Sequence, residues 1–122
     1  MTGFLEEAPM VPDTLFTKIA RREIPAKFVH EDADCFVIED IAPKAPFHVL
    51  VIPRLPIPSL GAARPEDAPL LGHLLAVAKR VAEAAGHGGA FRVVTNSGAG
   101  AGQTVPHLHF HVLAGRALGD LG

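Results

Sequence analysis

Pro106-His107-Leu108-His109-Phe110-His111-Val112-Leu113 is the stretch from which the rest of this chain is read. Three of the seven histidines stand here at every second position, with Leu108, Phe110 and Val112 in the alternate places. Successive side chains of a strand point to opposite faces, so the spacing predicts one strand with a row of imidazoles on one side and an apolar row on the other. The apolar row packs on a core. A half-buried strand ordinarily turns Thr, Lys, Glu or Ser outward, so a row of imidazoles marks a site of chemistry or ligand binding.

The segment leading into this strand, Gly98-Ala99-Gly100-Ala101-Gly102, lets backbone amides approach an anion closely, and Asn96, Gln103 and Thr104 add side-chain donors around it. It lacks the lysine of a Walker loop and opens a strand instead of a helix. Phosphate is the anion that suits such a loop beside three imidazoles. Further upstream, Phe91 to Asn96 reads as a strand, and Gly86 caps a long central helix that runs from Glu66 or Asp67 to about Ala85. Leu70, Leu71, Leu74, Val77, Ala78, Val81 and Ala85 form its apolar stripe, and Pro69 is tolerable only in its first turn.

From Pro53 to Pro69 the prolines, at 53, 56, 58, 65 and 69, are too dense for regular structure, and the stretch reads as a loop closed by Glu66 or Asp67 at the helix start. Phe47 to Ile52 is a buried strand stopped by Pro53, with His48 near its start. Two shorter runs, Ala26 to Glu31 and Asp34 to Asp40, flank Asp32-Ala33 and predict an antiparallel hairpin. The first helix starts with Asp13 as N-cap, carries Leu15, Phe16, Ile19 and Ala20, and ends at Ile24-Pro25. The sum is an α+β fold, a five-stranded mainly antiparallel sheet with one short N-terminal and one long central helix. Residues 1–12 are expected to be a loosely held arm, 13–116 the single domain and 117–122 a tail.

A chain of 122 residues builds one core, and its 48% hydrophobic and 20% charged residues are ordinary for a globular protein. No apolar run approaches the ~20 residues of a membrane helix, and Met1 to Glu7 has no signal-peptide pattern, so a cytoplasmic protein without a membrane partner is expected. A net charge of −2 gives no basic excess for a nucleic-acid backbone. Cys35, the single cysteine, excludes an internal disulfide and reads as a packing residue beside Phe36 and Val37. His30 reads as a strand surface residue, His73 as a helix position and His87 as part of a turn.

Neighbouring imidazoles of the row lie ~6.6 Å apart and its ends ~13 Å apart, so the three do not converge on one ion, and a metal site would have to borrow another ligand such as His48. Nucleophilic catalysis suits the row better: a neutral imidazole attacks near neutral pH once a partner fixes its proton, and His109, flanked on both sides, is the central candidate. No cofactor and no metal are expected.

His107-Leu108-His109-Phe110-His111-Val112-Leu113 resembles the histidine triad motif, His-φ-His-φ-His-φ-φ with φ apolar, at every position. Asp13-Thr14-Leu15-Phe16, Glu23-Ile24-Pro25-Ala26-Lys27, Asp40-Ile41-Ala42-Pro43, Val51-Ile52-Pro53, Leu70-Leu71-Gly72-His73-Leu74 and Asn96 through Arg116 extend the resemblance to the Hint branch of that family. The resemblance implies a homodimer that cleaves the P–N bond of purine nucleoside 5′-phosphoramidates, or related aminoacyl adenylates, through a nucleotidyl-histidine intermediate. It implies that His109 attacks, His107 and His48 orient it, and His111 with Asn96, Gly102, Gln103 and Thr104 serves the phosphate and leaving group. Asp40 would take the ribose hydroxyls, and Leu15, Phe16, Ile19, Ile38 and Ile41 would wall the base. Two alternatives belong beside it: a purine nucleotide-binding scaffold with vestigial catalysis, and a dinucleoside polyphosphate hydrolase. Thr104 stands where near relatives carry serine, Pro56 where they often carry histidine, and the tail lacks the tryptophan some members have.

Overall fold

The computed structural model describes residues 12–121, so the expected arm lies, apart from Pro12, outside the described residues. Helix α1 (Leu15–Ala20) is capped by Thr14 and not by Asp13. The Thr14 hydroxyl accepts from the Thr17 amide at 3.2 Å, and Thr17 Oγ1 accepts from the Thr14 amide at 2.7 Å, a closed capping box. Asp13 is occupied instead by an ion pair with Arg21, which brings the chain before the helix back against its end. Arg22 at φ +64 then turns the chain out of the helix.

Strands β1 (Phe28–Glu31) and β2 (Cys35–Glu39) form the expected hairpin. Asp32 builds its turn: Oδ1 accepts from the amides of Asp34 and Cys35, both at 2.8 Å. Strand β3 (Phe47–Pro53) follows, then helix α2 (Ala68–Ala84), β4 (Phe91–Val94) and β5 (Phe110–Ala114). The sheet order is β1-β2-β3-β5-β4, with every neighbour antiparallel. The proline-rich connection before α2 is more regular than expected. It holds two 3-10 turns, Leu60–Ala62 and Pro65–Asp67, because Ser59 caps the first and the Asp67 carboxylate accepts from the Arg64 amide at 2.9 Å in the second.

Both faces of the sheet are covered, which is why β2 and β3 read as unbroken apolar runs instead of alternating. Helix α2 lies on one face, where Leu74, Val77, Ala78 and Val81 meet Cys35, Val37, Val49, Val51, Leu108, Phe110 and Val112. Helix α1 lies on the other, where Phe16 and Ile19 meet Phe36, Ile38, Leu50 and Ile52. Cys35 is fully buried in the first cluster; burial, then the charge of Asp32 beside it, pushes its thiol up to about 12.

The histidine strand is shorter than its sequence suggests. Its ladder begins at Phe110, so only His111 of the three lies in β5. The reason is local: the Leu108 amide donates to the Ile57 carbonyl at 2.7 Å and the His107 amide to Val105 at 2.8 Å, leaving no strand partner for this part of the chain. The alternation of faces persists nonetheless. Nor does the imidazole row face open solvent: His107 is 1% and His109 7% exposed, because α1 roofs them.

Candidate active site

The site is built where the α1 face of the sheet runs out of strand partners. Phe16 of α1 stands edge-on to His107 and His109, with ring centroids 5.7 and 5.0 Å away and planes at 74° to both. The T-shaped packing of a ring against each imidazole fixes where the histidines sit. Hydrogen bonds then fix which nitrogen carries each proton, since a carbonyl can only accept and an amide can only donate.

His107 Nε2 lies 2.8 Å from the Pro53 carbonyl, so it donates, and Nδ1 accepts from the Thr14 hydroxyl at 2.8 Å. Thr14 therefore serves twice, as helix cap and as proton donor to a buried imidazole. His109 Nδ1 lies 2.8 Å from the His107 carbonyl, so it donates, and Nε2 keeps its lone pair. The Thr95 hydroxyl donates to the His109 carbonyl at 2.7 Å and holds this segment to the end of β4.

His48, on β3 beside β5, accepts at Nδ1 from the Lys44 amide at 3.0 Å. Its Nε2 therefore carries the proton and donates to His111 Nδ1 at 2.9 Å, with Asp40 Oδ2 at 3.3 Å from the same nitrogen. His111 in turn holds its proton on Nε2. One backbone amide thus sets a relay of tautomers whose last member presents an N–H donor beside His109, ring centroids 5.0 Å apart. His48 meets His111 and not His109, so whatever it does for His109 passes through that neighbour.

Burial disfavours the charged form of each of these rings. It holds His107 and His48 below the ordinary histidine range, and, with the neighbouring His109 and His48 opposing a second positive charge, it brings His111 down to about 4. All three are neutral at pH 7.

The expected phosphate loop forms a 3-10 turn, Ala99–Ala101, closed by Gly102 at φ +98, a left-handed conformation that a side chain resists. Gly102 faces Asn96, whose Nδ2 stands 3.9 Å from where a Cβ would be. Thr104 is exposed. The Gln103 amide is occupied as a brace: Oε1 accepts from the Gly98 amide at 2.7 Å and Nε2 donates to the Pro58 and Val105 carbonyls. Of the residues expected around a nucleoside, Phe16, Ile19 and Ile38 are buried together, Leu15 is half exposed, and Ile41 stands in solvent at 97% exposure. Asp40 Oδ1 accepts from the Ala42 amide at 2.8 Å, which leaves Oδ2 toward His48. A cleft of about 630 Å³ is lined by His107 with Thr17, Arg21, Arg54 and Pro56.

Asp40, His48 and His111 each bring one ligand atom within 4.8 Å of the others and could hold a cation. Sequence reasoning missed Thr14, Thr95 and the Lys44 amide. Only Thr14 has a local signal, since threonine three residues before Thr17 can cap a helix. The other two join the site through sheet pairing.

His48, His107, His109 and His111 thus gather on one face of an antiparallel sheet, the kind of site by which a family is recognised. A HIT domain model matches residues 21–118, and the chain belongs to the HIT domain family. It is 58% identical over 107 residues to a HIT-like protein of Synechocystis sp., covering 88% of this chain and 94% of that one. Among solved structures, it resembles a HIT family hydrolase from Legionella pneumophila with a TM-score of 0.84 and 42% identity, covering 86% and 95% of the two chains. It resembles a histidine triad protein from Clostridium difficile with a TM-score of 0.87 and 36% identity, covering 93% and 100%.

Proposed function

We propose that this protein hydrolyses purine nucleoside 5′-phosphoramidates, or related aminoacyl adenylates, with His109 as nucleophile. The observation that carries the reading is the His109 Nδ1 bond to the His107 carbonyl at 2.8 Å, which places the hydrogen of the neutral ring on Nδ1 and leaves Nε2 as the attacking nitrogen. Nε2 attacks the α-phosphorus, the P–N bond breaks, and the amine departs with a proton taken from solvent while the His111 Nε2–H holds it by a hydrogen bond. The ring now carries a phosphoryl group on one nitrogen and a proton on the other. Its positive charge strengthens the same Nδ1–H bond to the carbonyl, a stabilisation that grows toward the transition state. Water then attacks phosphorus and gives one proton to solvent, the P–N bond to His109 breaks, and the nucleoside 5′-monophosphate leaves with the His109 ring restored to its neutral form.

On this reading Asn96, Gly102 and Thr104 hold phosphate oxygens, Asp40 Oδ2 takes the ribose hydroxyls, and Phe16, Ile19, Ile38 and Leu15 form the base side. Gln103 supports the loop. The likeness to the Legionella hydrolase supports hydrolysis as the reaction type. Release of AMP from adenosine 5′-phosphoramidate by the wild type, abolished in His109→Ala, tests it; a wild type that binds AMP without turnover would leave the nucleotide-binding scaffold as the function. The protein works as a homodimer: β4 pairs only with β5 among the described strands, and the solvent side of α2 carries Leu75 at 48% exposure. Light scattering at the mass of one chain would remove the dimer.

A further inference from the structure

Two histidines that the triad chemistry does not use meet on the opposite face of the sheet. The β1–β2 register steps from Phe28 opposite Ile38 to His30 opposite Val37, so Val29 is one residue in excess and β1 bulges there. A bulge turns the following side chain to the other face. Without it His30 would share the α1 side with Phe28; with it His30 looks toward α2 and the end of the hairpin. His73 comes to the same place from the second turn of α2. Their Nε2 atoms stand 2.9 and 2.8 Å from one oxygen, Asp32 Oδ2.

The Asp32 carboxylate is fixed from behind, because its other oxygen closes the hairpin turn. Cys35 Sγ lies 3.5 Å from Oδ2. The ligand atoms of His30, Asp32 and Cys35 all fall within 4.8 Å of one another, as do those of Asp32, Asp34 and His73. Two imidazoles, a carboxylate and a thiol are a tetrahedral zinc donor set, in which an oxygen and a sulfur ligand of one ion stand roughly 3.5 Å apart. The imidazole side chains are 32% and 31% exposed, which gives an ion access and gives both rings room to turn toward one another.

We propose that His30, Asp32, Cys35 and His73 bind one divalent zinc ion that fastens the β1–β2 hairpin to helix α2. On binding, each imidazole moves its hydrogen from Nε2 to Nδ1 and ligates through Nε2, and the Cys35 thiol gives its proton to solvent. Carboxylate and thiolate then balance the ion's two charges, and one proton is released per zinc.

The test is calorimetric titration of the metal-stripped full chain with zinc chloride, run in two buffers of different ionisation enthalpy, beside cobalt(II) absorption. Wild type is expected to bind one zinc per chain with release of one proton, and to show a thiolate-to-cobalt charge-transfer band that Cys35→Ser abolishes. Binding is expected to weaken at least ~tenfold in His30→Gln and in His73→Asn and to persist in His111→Asn. His30→Gln changes a partly exposed side chain, so a circular dichroism spectrum matching wild type separates loss of the site from loss of the fold. No zinc binding by the wild type, undiminished binding in both His30→Gln and His73→Asn, or cobalt bound without the thiolate band would each overturn the proposal.

Discussion

The two histidine groups of this protein sit on opposite faces of one sheet and are held by different sets of partners. On the α1 face, His48, His107, His109 and His111 meet carbonyls, an amide, a hydroxyl and one another, with a single carboxylate, Asp40, beside His48. Those partners fix which nitrogen donates, and burial keeps His48, His107 and His111 neutral. On the α2 face, His30 and His73 meet a carboxylate. Burial works to raise the Asp32 carboxyl, but hydrogen bonds from His30 and His73 and from the amides of Asp34 and Cys35 outweigh it and hold it well below the usual carboxylate range. On the proposed readings the same side chain serves covalent chemistry on one face and metal binding on the other. The difference lies in what the backbone brings next to it.

The sharpest break of this comparison is His109→Ala, expected to lower phosphoramidate turnover by ~10³-fold or more while the folded state persists. His73→Asn should leave turnover within about twofold under the same assay. If the two variants lose activity equally, the faces are not functionally separate. Next in size is Thr14→Val, which removes the donor to His107 Nδ1 and the helix cap together. A loss of about 2–3 kcal/mol in urea unfolding is expected, against about 1 kcal/mol for the cap alone, and the smaller value would show that the buried imidazole does not need that hydroxyl.

Acid should separate the faces by pH. His48, His107 and His111 titrate lower in the folded protein than in the unfolded chain, so the unfolded state takes up protons first and stability declines as pH falls below about 6.5, for His111 down to about 4. The Asp32 group, with its carboxyl lowered, loses its contribution only below about 4, where the unfolded carboxylate protonates. Thermal unfolding of wild type and Asp32→Asn across this range should therefore show parallel losses from about pH 6.5 to 4 and converge below it. A stability independent of pH from 7 to 4 would contradict the neutral, buried state of the triad side. The smallest effect is expected at the Arg21–Asp13 pair, both side chains nearly half exposed and screened by solvent, where Asp13→Asn should leave the thermal midpoint almost unchanged.

Much of the fold was readable in the chain because local rules decide it. Alternation in Leu108-His109-Phe110-His111-Val112, the apolar stripe of α2, the turn residues near Asp32 and Pro69 in a first helical turn are each properties of a few consecutive residues. Boundaries slipped where a distant partner intervened. His107 to His109 read as strand, but the Ile57 carbonyl captures the Leu108 amide, and β4 ends two residues early, with the Thr95 side chain turned to the His109 carbonyl. Asp13 read as a cap until Arg21 claimed it.

The sequence by itself determined the residue types of the site, their spacing and the antiparallel α+β frame, because strand and helix periods are written in neighbouring positions. Only the tertiary structure decided which nitrogen of each imidazole holds the proton, since that depends on Pro53, Thr14, Lys44 and His48, up to 93 positions away in the chain. It also decided that His30 and His73, which read in the sequence as a strand surface residue and a helix position, share one carboxylate, because a bulge and a helix packing bring them there.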